Sequence, residues 1–177
     1  MATETGTKAE AMAIRVALHP FLAGLDQAHL ALLADCAMAA HFKPGNVILR
    51  EGEPANRFYL IESGKVVLES GAGFGEPVVI DTIGAGDLLG WSWMFPPYAW
   101  HFTARAVTPT EAIFFQGKLL REYCEKNHSL GYELFKRMGA VIVKRLQAAR
   151  KTMLEISRGA ALPPVGLKSP LPKKKSD

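Results

Sequence analysis

Read for period alone, the chain changes character twice. Up to about residue 40 the apolar positions recur at helical spacing. Residues 1–7 read as frayed, and a short helix covers Ala9 to Leu18. His19-Pro20 closes it, because the residue before a proline is pushed out of the helical region. Asp26 is placed to cap a second helix running to about Ala40, with Leu30, Leu33, Ala37 and Ala40 on one stripe. After Phe42 the turn Lys43-Pro44-Gly45 opens a stretch of short β-rich runs that lasts to Phe115. The runs are Val47–Arg50, Arg57–Glu62, Lys65–Ser70, Val78–Ile83, Trp100–Val107 and Glu111–Phe115, separated by glycine, proline or acidic turns. Lys65 to Glu69 alternates as a half-buried strand does, and Ser63-Gly64 reads as a tight hairpin. Many short strands at this spacing predict a mainly β fold, a sandwich, barrel or roll, not a parallel α/β sheet.

Gly117 starts a return to helical period, and a long helix follows over residues 130–158. Phe135, Ile142, Leu146, Ala149, Met153 and Ile156 make a seam of coiled-coil type along it. At 1.5 Å per residue such a helix is about 42 Å long, more than one small β domain covers. A symmetric homodimer is the simplest way to bury the seam, and a seam folded back on its own domain is the other. The organisation expected is a leader over 1–17, a β domain over 18–129, the helix over 130–158 and a disordered basic tail over 159–177.

Composition narrows the class. Of 177 residues, 49% are hydrophobic and 21% charged, which suits a globular protein with a real core. No run of apolar residues is long enough to span a membrane, and Ala11 to Leu25 is broken by Arg15, His19 and Pro20, unlike a signal peptide. A cytoplasmic protein is expected. Cys36 and Cys124 are too few for a disulfide framework, and the scattered histidines form no metal-ligand pair, so no metal is expected. Residues 1–129 carry ten Lys+Arg against fourteen Asp+Glu, whereas 130–177 carry eleven against three. A mildly acidic body therefore bears a basic helix and tail, able to meet an acidic partner, nucleic acid or anionic lipid, or to serve solubility alone. Asp81 and Glu111 stand without companion acids or a nucleophile, so no enzyme is expected.

The order of parts carries a resemblance. Leading helices are followed by Pro44-Gly45-x-x-Ile48-x-x-Glu51-Gly52, then Phe58-Tyr59-Leu60-Ile61-x-x-Gly64-x-Val66, then Ile83-Gly84-x-Gly86-Asp87-x-x-Gly90 and the long helix. This set resembles the cyclic-nucleotide-binding domain, and more narrowly the sensor half of catabolite-activator-type bacterial regulators, over residues 18–157. The resemblance implies a double-stranded, jelly-roll-like β-roll with flanking N-terminal helices and a C-terminal dimerisation helix.

It also implies a ligand cassette after Gly86-Asp87, in which a glycine and a glutamate at the start of a small helix hold the ribose, an arginine on the next strand pairs with the cyclic phosphate, and a neighbouring Ser or Thr assists. Anchored on Gly90 and on Arg105-Ala106, the glutamate position holds Trp91 and the arginine position holds Trp100, with His101 where Ser or Thr would stand. The candidate ligand-binding residues are Leu89, Gly90, Trp91, Ser92, Trp93, Trp100, His101 and Phe102. A charge-assisted hydrogen bond contributes roughly 1.5–3 kcal/mol, so losing both partners disfavours a cyclic nucleotide as ligand. Tryptophans here read as a plug or as walls for an apolar or aromatic ligand. Trp100, Phe102 and Ala104 share one strand face and His101, Thr103 and Arg105 the other, so Arg105 does not replace the missing cation. A one-residue slip would instead leave an anion site of His101, Ser92 and backbone N–H groups. Pro96-Pro97-Tyr98 reads as a rigid turn.

Regulators of this type carry a helix-turn-helix module after the long helix. Nineteen proline-rich residues follow Arg158, too few for three helices, so no sequence-specific DNA reading is expected. The leading expectation is a stand-alone sensor module that dimerises and signals by protein contact. The rivals are an interaction subunit whose pocket Trp91, Trp93 and Trp100 fill permanently, docking on an acidic partner, and a nonspecific nucleic-acid binder using Lys168 and Lys173–Lys175.

Overall fold

The computed structural model of the protein describes residues 2–71 and 77–159. Helix α1 (Ala2–Leu18) leads through a 3-10 turn, Pro20–Leu22, to α2 (Gln27–Asp35). Eight strands follow: β1 (Ala37–Phe42), β2 (Val47–Leu49), β3 (Arg57–Ser63), β4 (Lys65–Ser70), β5 (Val78–Gly84), β6 (Leu88–Leu89), β7 (Thr103–Ala106) and β8 (Thr110–Gln116). A second 3-10 turn, Trp91–Met94, lies between β6 and β7, and α3 (Gly117–Lys126) and α4 (His128–Gly159) complete the order. The strands form two antiparallel four-stranded sheets, β1-β8-β3-β6 and β2-β7-β4-β5. The mainly β fold is the one the pattern of short strands predicts, and the β-roll with flanking helices is the one the resemblance implies.

Its centre is β3, where Phe58, Tyr59, Leu60 and Ile61 are all buried. Such a run is hydrophobic on both faces because both are covered: Phe58 meets Phe115 of β8 at 5.0 Å on one face, and Tyr59 meets Phe42 of β1 at 5.5 Å on the other, between ring centroids. Gly64 turns the chain from β3 into β4 at φ +93°, and a Cβ there would lie 2.4 Å from the Pro109 carbonyl oxygen. Only glycine meets both demands.

The N-terminal helices differ from their sequence expectation. Asp26 does cap α2, its Oδ1 accepting from the His29 N–H at 2.8 Å. The helix stops at Asp35, however, and Ala37–Ala40, expected to be helical, belongs to strand β1, in register with β8 from Ala37↔Phe115 to Phe42↔Thr110. Alanine-rich sequence favours the helix locally, but the open edge of β8 supplies a ladder of hydrogen bonds that local propensity does not reckon with. Helix α1 is longer than expected and takes in residues 2–7. Val16 is fully buried and anchors the helix, and residues 2–7, Ala-Thr-Glu-Thr-Gly-Thr, continue it by propagation although Thr and Gly are weak helix formers.

A compact body ends at Gly139, and the rest of α4, from Ala140, is a unit of its own. In that unit Ile142, Leu146, Ala149 and Met153 keep the expected spacing, with Leu146 67% and Met153 71% exposed. The side chain of Ile156, the tail over 160–177 and its lysines lie outside the described residues. Phe135 departs from the seam: its ring lies 5.9 Å from that of Phe95, against the turn between β6 and β7. Among the described residues no helix is long and apolar enough to cross a membrane.

Candidate ligand cassette

The cassette is built between two sheets. Leu88 and Leu89 of β6 pair with Leu60 and Tyr59 of β3, which fixes where Gly90 emerges. Gly90 is buried at φ +92° and caps the turn Trp91–Met94, so the expected small helix after a glycine is present. On the far side the chain returns through Trp100. Its N–H donates to the Glu53 carbonyl at 2.9 Å and its carbonyl accepts from the Gly52 N–H at 2.9 Å. The strand expected from Trp100 begins only at Thr103, because these two bonds tie Trp100 to the turn after β2 rather than to a ladder.

The alternation of faces nevertheless holds. Trp100, Phe102, Ala104 and Ala106 are buried, and His101 is exposed. Arg105 points away from the cassette, with its Nε 3.4 Å from Glu69 Oε2 and its Nη1 donating to the Gly45 carbonyl at 3.3 Å. The slipped register is not the one adopted.

Each tryptophan has a different fate. Trp100 is 4% exposed, and its ring edge covers Gly90: a Cβ on Gly90 would sit 3.1 Å from both Cη2 and Cζ3 of the indole. Trp93 is fully buried, but not beside Gly90. Its ring lies 5.8 Å from that of Phe58, and a Cβ on Gly117 of α3 would stand 3.2 Å from its own Cβ. It is core beneath α3, with its indole N–H unpartnered. Trp91 is only half-buried and stacks on His101, 5.5 Å between centroids with planes 10° apart. A 3-10 turn advances 120° per residue, so Trp91 and Trp93 leave it on different sides. The expectation that three indoles fill one space is therefore corrected.

Ser92 is fully buried, and its hydroxyl lies 3.0 Å from His101 Nδ1. Leu89 and Phe102 are buried as walls. The structure thus brings Gly90 and Trp100 together, and separately Trp91, Ser92 and His101, while Trp93 stands apart. Sequence reasoning missed Arg121 of α3, whose Nη1 donates to the Trp93 carbonyl and whose guanidinium lies 4.8 Å from the Tyr98 ring centroid. It also missed Phe95, which links the cassette to Phe135. Nothing local marks Arg121, which in sequence looks like a solvent-facing helical arginine.

Residues 39–127 match the family model described as Cyclic nucleotide-binding domain. The chain is 24% identical over 133 residues to a CRP-like cAMP-activated global transcriptional regulator of Mycobacterium tuberculosis, covering 75% of this chain and 58% of that one. It is 33% identical over 72 residues to a cAMP-dependent protein kinase regulatory subunit of Schizosaccharomyces pombe, covering 40% and 16%. These matches span well under two thirds of the relatives' own length. A solved structure from Geobacter metallireducens GS-15, assigned provisionally as a cyclic nucleotide-binding protein, superposes with TM-score 0.67 at 29% identity, covering 75% of this chain and 96% of that one. A cyclic nucleotide-binding domain from Methylobacillus flagellatus KT superposes at TM-score 0.69 and 17% identity, covering 84% of each, a likeness of fold alone.

Proposed function

Because the chain belongs to the cyclic nucleotide-binding domain family, we propose that it is a regulatory module on the family's receptor scaffold whose phosphate position is filled by its own indole. The observation that carries this reading is the closure of Trp100 over Gly90, with ring atoms 3.1 Å from where a Cβ would begin. By the resemblance, the cyclic phosphate and its arginine would meet there. Trp91, at the glutamate position, stacks on His101 and brings no carboxylate to a ribose. Two charge-assisted contacts at roughly 1.5–3 kcal/mol each correspond to a loss of about 10²–10⁴ in affinity for a cyclic nucleotide. A hydrolytic reading of the Ser92–His101 pair finds less support, since the buried hydroxyl offers a substrate no approach. Output passes through protein contact by α4, symmetric pairing of two copies being one form of that contact.

The test is a titration of the wild-type chain and of the pair Trp91→Glu with Trp100→Arg by cyclic AMP and cyclic GMP. The wild type is expected to show no calorimetric heat and no shift in melting temperature. The folded double variant is expected to gain cyclic AMP binding. Saturable wild-type binding at micromolar nucleotide would overturn the reading. A melting shift with an aromatic metabolite alone would turn the cassette into a site for that class of ligand.

A further inference from the structure

The sheet β2-β7-β4-β5 ends in β5, which has a neighbour on one side only among the described residues. The outer row of backbone N–H and C=O groups on such a strand is a template for another strand. Edges are commonly blunted by charge or proline within the strand. β5 opens without either, on Val78, Val79 and Ile80, and these are 65%, 55% and 54% exposed. A half-buried strand bares only alternate side chains, and three in succession are bare here because the register shifts. Leu68 of β4 pairs with Asp81 and Glu69 with Val79, so Ile80 is the extra residue of a bulge and has no partner across the pair. What stays open is a strand edge carrying three β-branched residues, the side chains that suit a strand best.

The charges around this edge favour one kind of occupant. Ser70 lies opposite Val78, and its hydroxyl donates to both carboxylate oxygens of Glu51 at 3.2 Å. The neighbouring cations are placed elsewhere: Arg105 of β7 is turned to Glu69, 3.4 Å away, and Lys65 stands at the far end of β4, opposite Gly84. Residues 1–129 together carry ten Lys+Arg against fourteen Asp+Glu. A second copy would bring the same acidic surface to the same edge, like charge against like.

We propose that the outer edge of β5 receives an extended segment of another protein by strand addition, β-branched at its centre and flanked by Lys or Arg. The centre covers Val78, Val79 and Ile80, and a basic flank lies toward the Glu51 carboxylate. The proposal uses neither the cassette nor α4, so its failure and that of the receptor reading are told apart.

The experiment uses the full chain and a fluorescent peptide, Lys-Lys-Val-Thr-Val-Ile-Lys-Lys, read by anisotropy. Saturable binding is expected. The same core between Glu pairs is expected to bind at least about tenfold more weakly, with the margin shrinking as salt rises. A Gly-Ser core between Lys pairs is expected not to bind. Val78→Lys with Ile80→Lys, at exposed positions and checked for folding by circular dichroism, is expected to weaken binding at least about tenfold. Methylating alternate peptide nitrogens alters the probe and leaves the protein untouched: one of the two alternate patterns is expected to abolish binding and the other to keep it, since only one row of N–H groups faces the edge. No saturable binding, equal binding of the Lys and Glu probes, binding of the Gly-Ser probe, or indifference to both methylation patterns would overturn the proposal. So would a dimer in light scattering that the Lys pair of substitutions disperses, which would give the edge to a second copy.

Discussion

Replacing Trp100 by alanine tests the wedge directly. The indole is 4% exposed, and a tryptophan buries about 150–250 Å², worth roughly 4–6 kcal/mol at about 25 cal/mol per Å² before the unfolded chain's own burial is allowed for. The space left behind does not collapse freely. Residue 100 is held by main-chain bonds to Gly52 and Glu53, and the facing surface is the Cα of a glycine at φ +92°. A loss of about 3–5 kcal/mol is expected, near the usual range for a buried aromatic. In a chain of this size that lowers the melting temperature by about 10 °C. Trp91→Ala, which removes a half-buried ring and one stack on His101, is expected to cost only about 1 kcal/mol. Both are read by urea unfolding followed by circular dichroism. Added indole should recover part of the stability of Trp100→Ala and none of Trp91→Ala. Equal losses in the two variants, or a loss below about 1 kcal/mol at Trp100, would refute the wedge.

The remaining expectations concern the frame. His19 is buried, its Nδ1 accepting from the Phe21 N–H at 3.2 Å and its Nε2 3.0 Å from the Ile61 carbonyl oxygen. Burial holds its pKa below the ordinary 6.5, against the raising effects of that carbonyl, Glu62 and Asp87. The unfolded chain thus binds this proton more readily, so the stability is complete above about pH 6.5 and is lost as pH falls below it. The urea midpoint should drop between about pH 7.5 and 5.5 in the wild type and less in His19→Gln; equal slopes would contradict this. Burial also raises the Cys36 and Cys124 thiols to about 11, so iodoacetamide at neutral pH should label both slowly in the native state and rapidly in urea. Gly64→Ala, whose Cβ meets the Pro109 carbonyl oxygen at 2.4 Å, should cost at least about 3 kcal/mol in strain and overlap. Gly52→Ala, at φ +82° with nothing within 4 Å, should cost only about 1–2 kcal/mol in a thermal melt.

Much of the frame could be read before any coordinates, wherever its cause lies within a few residues. Asp26 caps a helix because its carboxylate reaches an N–H three positions on. Gly64 stands in the hairpin that Ser63-Gly64 predicts and takes the positive φ such a turn needs, and the buried alternation from Trp100 to Ala104 follows from the period of an extended chain. The heptad spacing of Ile142, Leu146, Ala149 and Met153 was equally plain, as was the basic character of the segment that carries it.

Other features came from contacts that no local pattern encodes. Ala37–Phe42 became β1 because β8, far along the chain, offered an edge. Trp93 left the cassette for the space under α3, where Phe58 and Gly117 receive it, and Phe135 turned from the seam to Phe95. Periodicity, caps and turn residues act through neighbours in sequence, so they are written in the order of the amino acids. Which surface a strand pairs with, and which void an indole enters, depends on groups brought near only by folding.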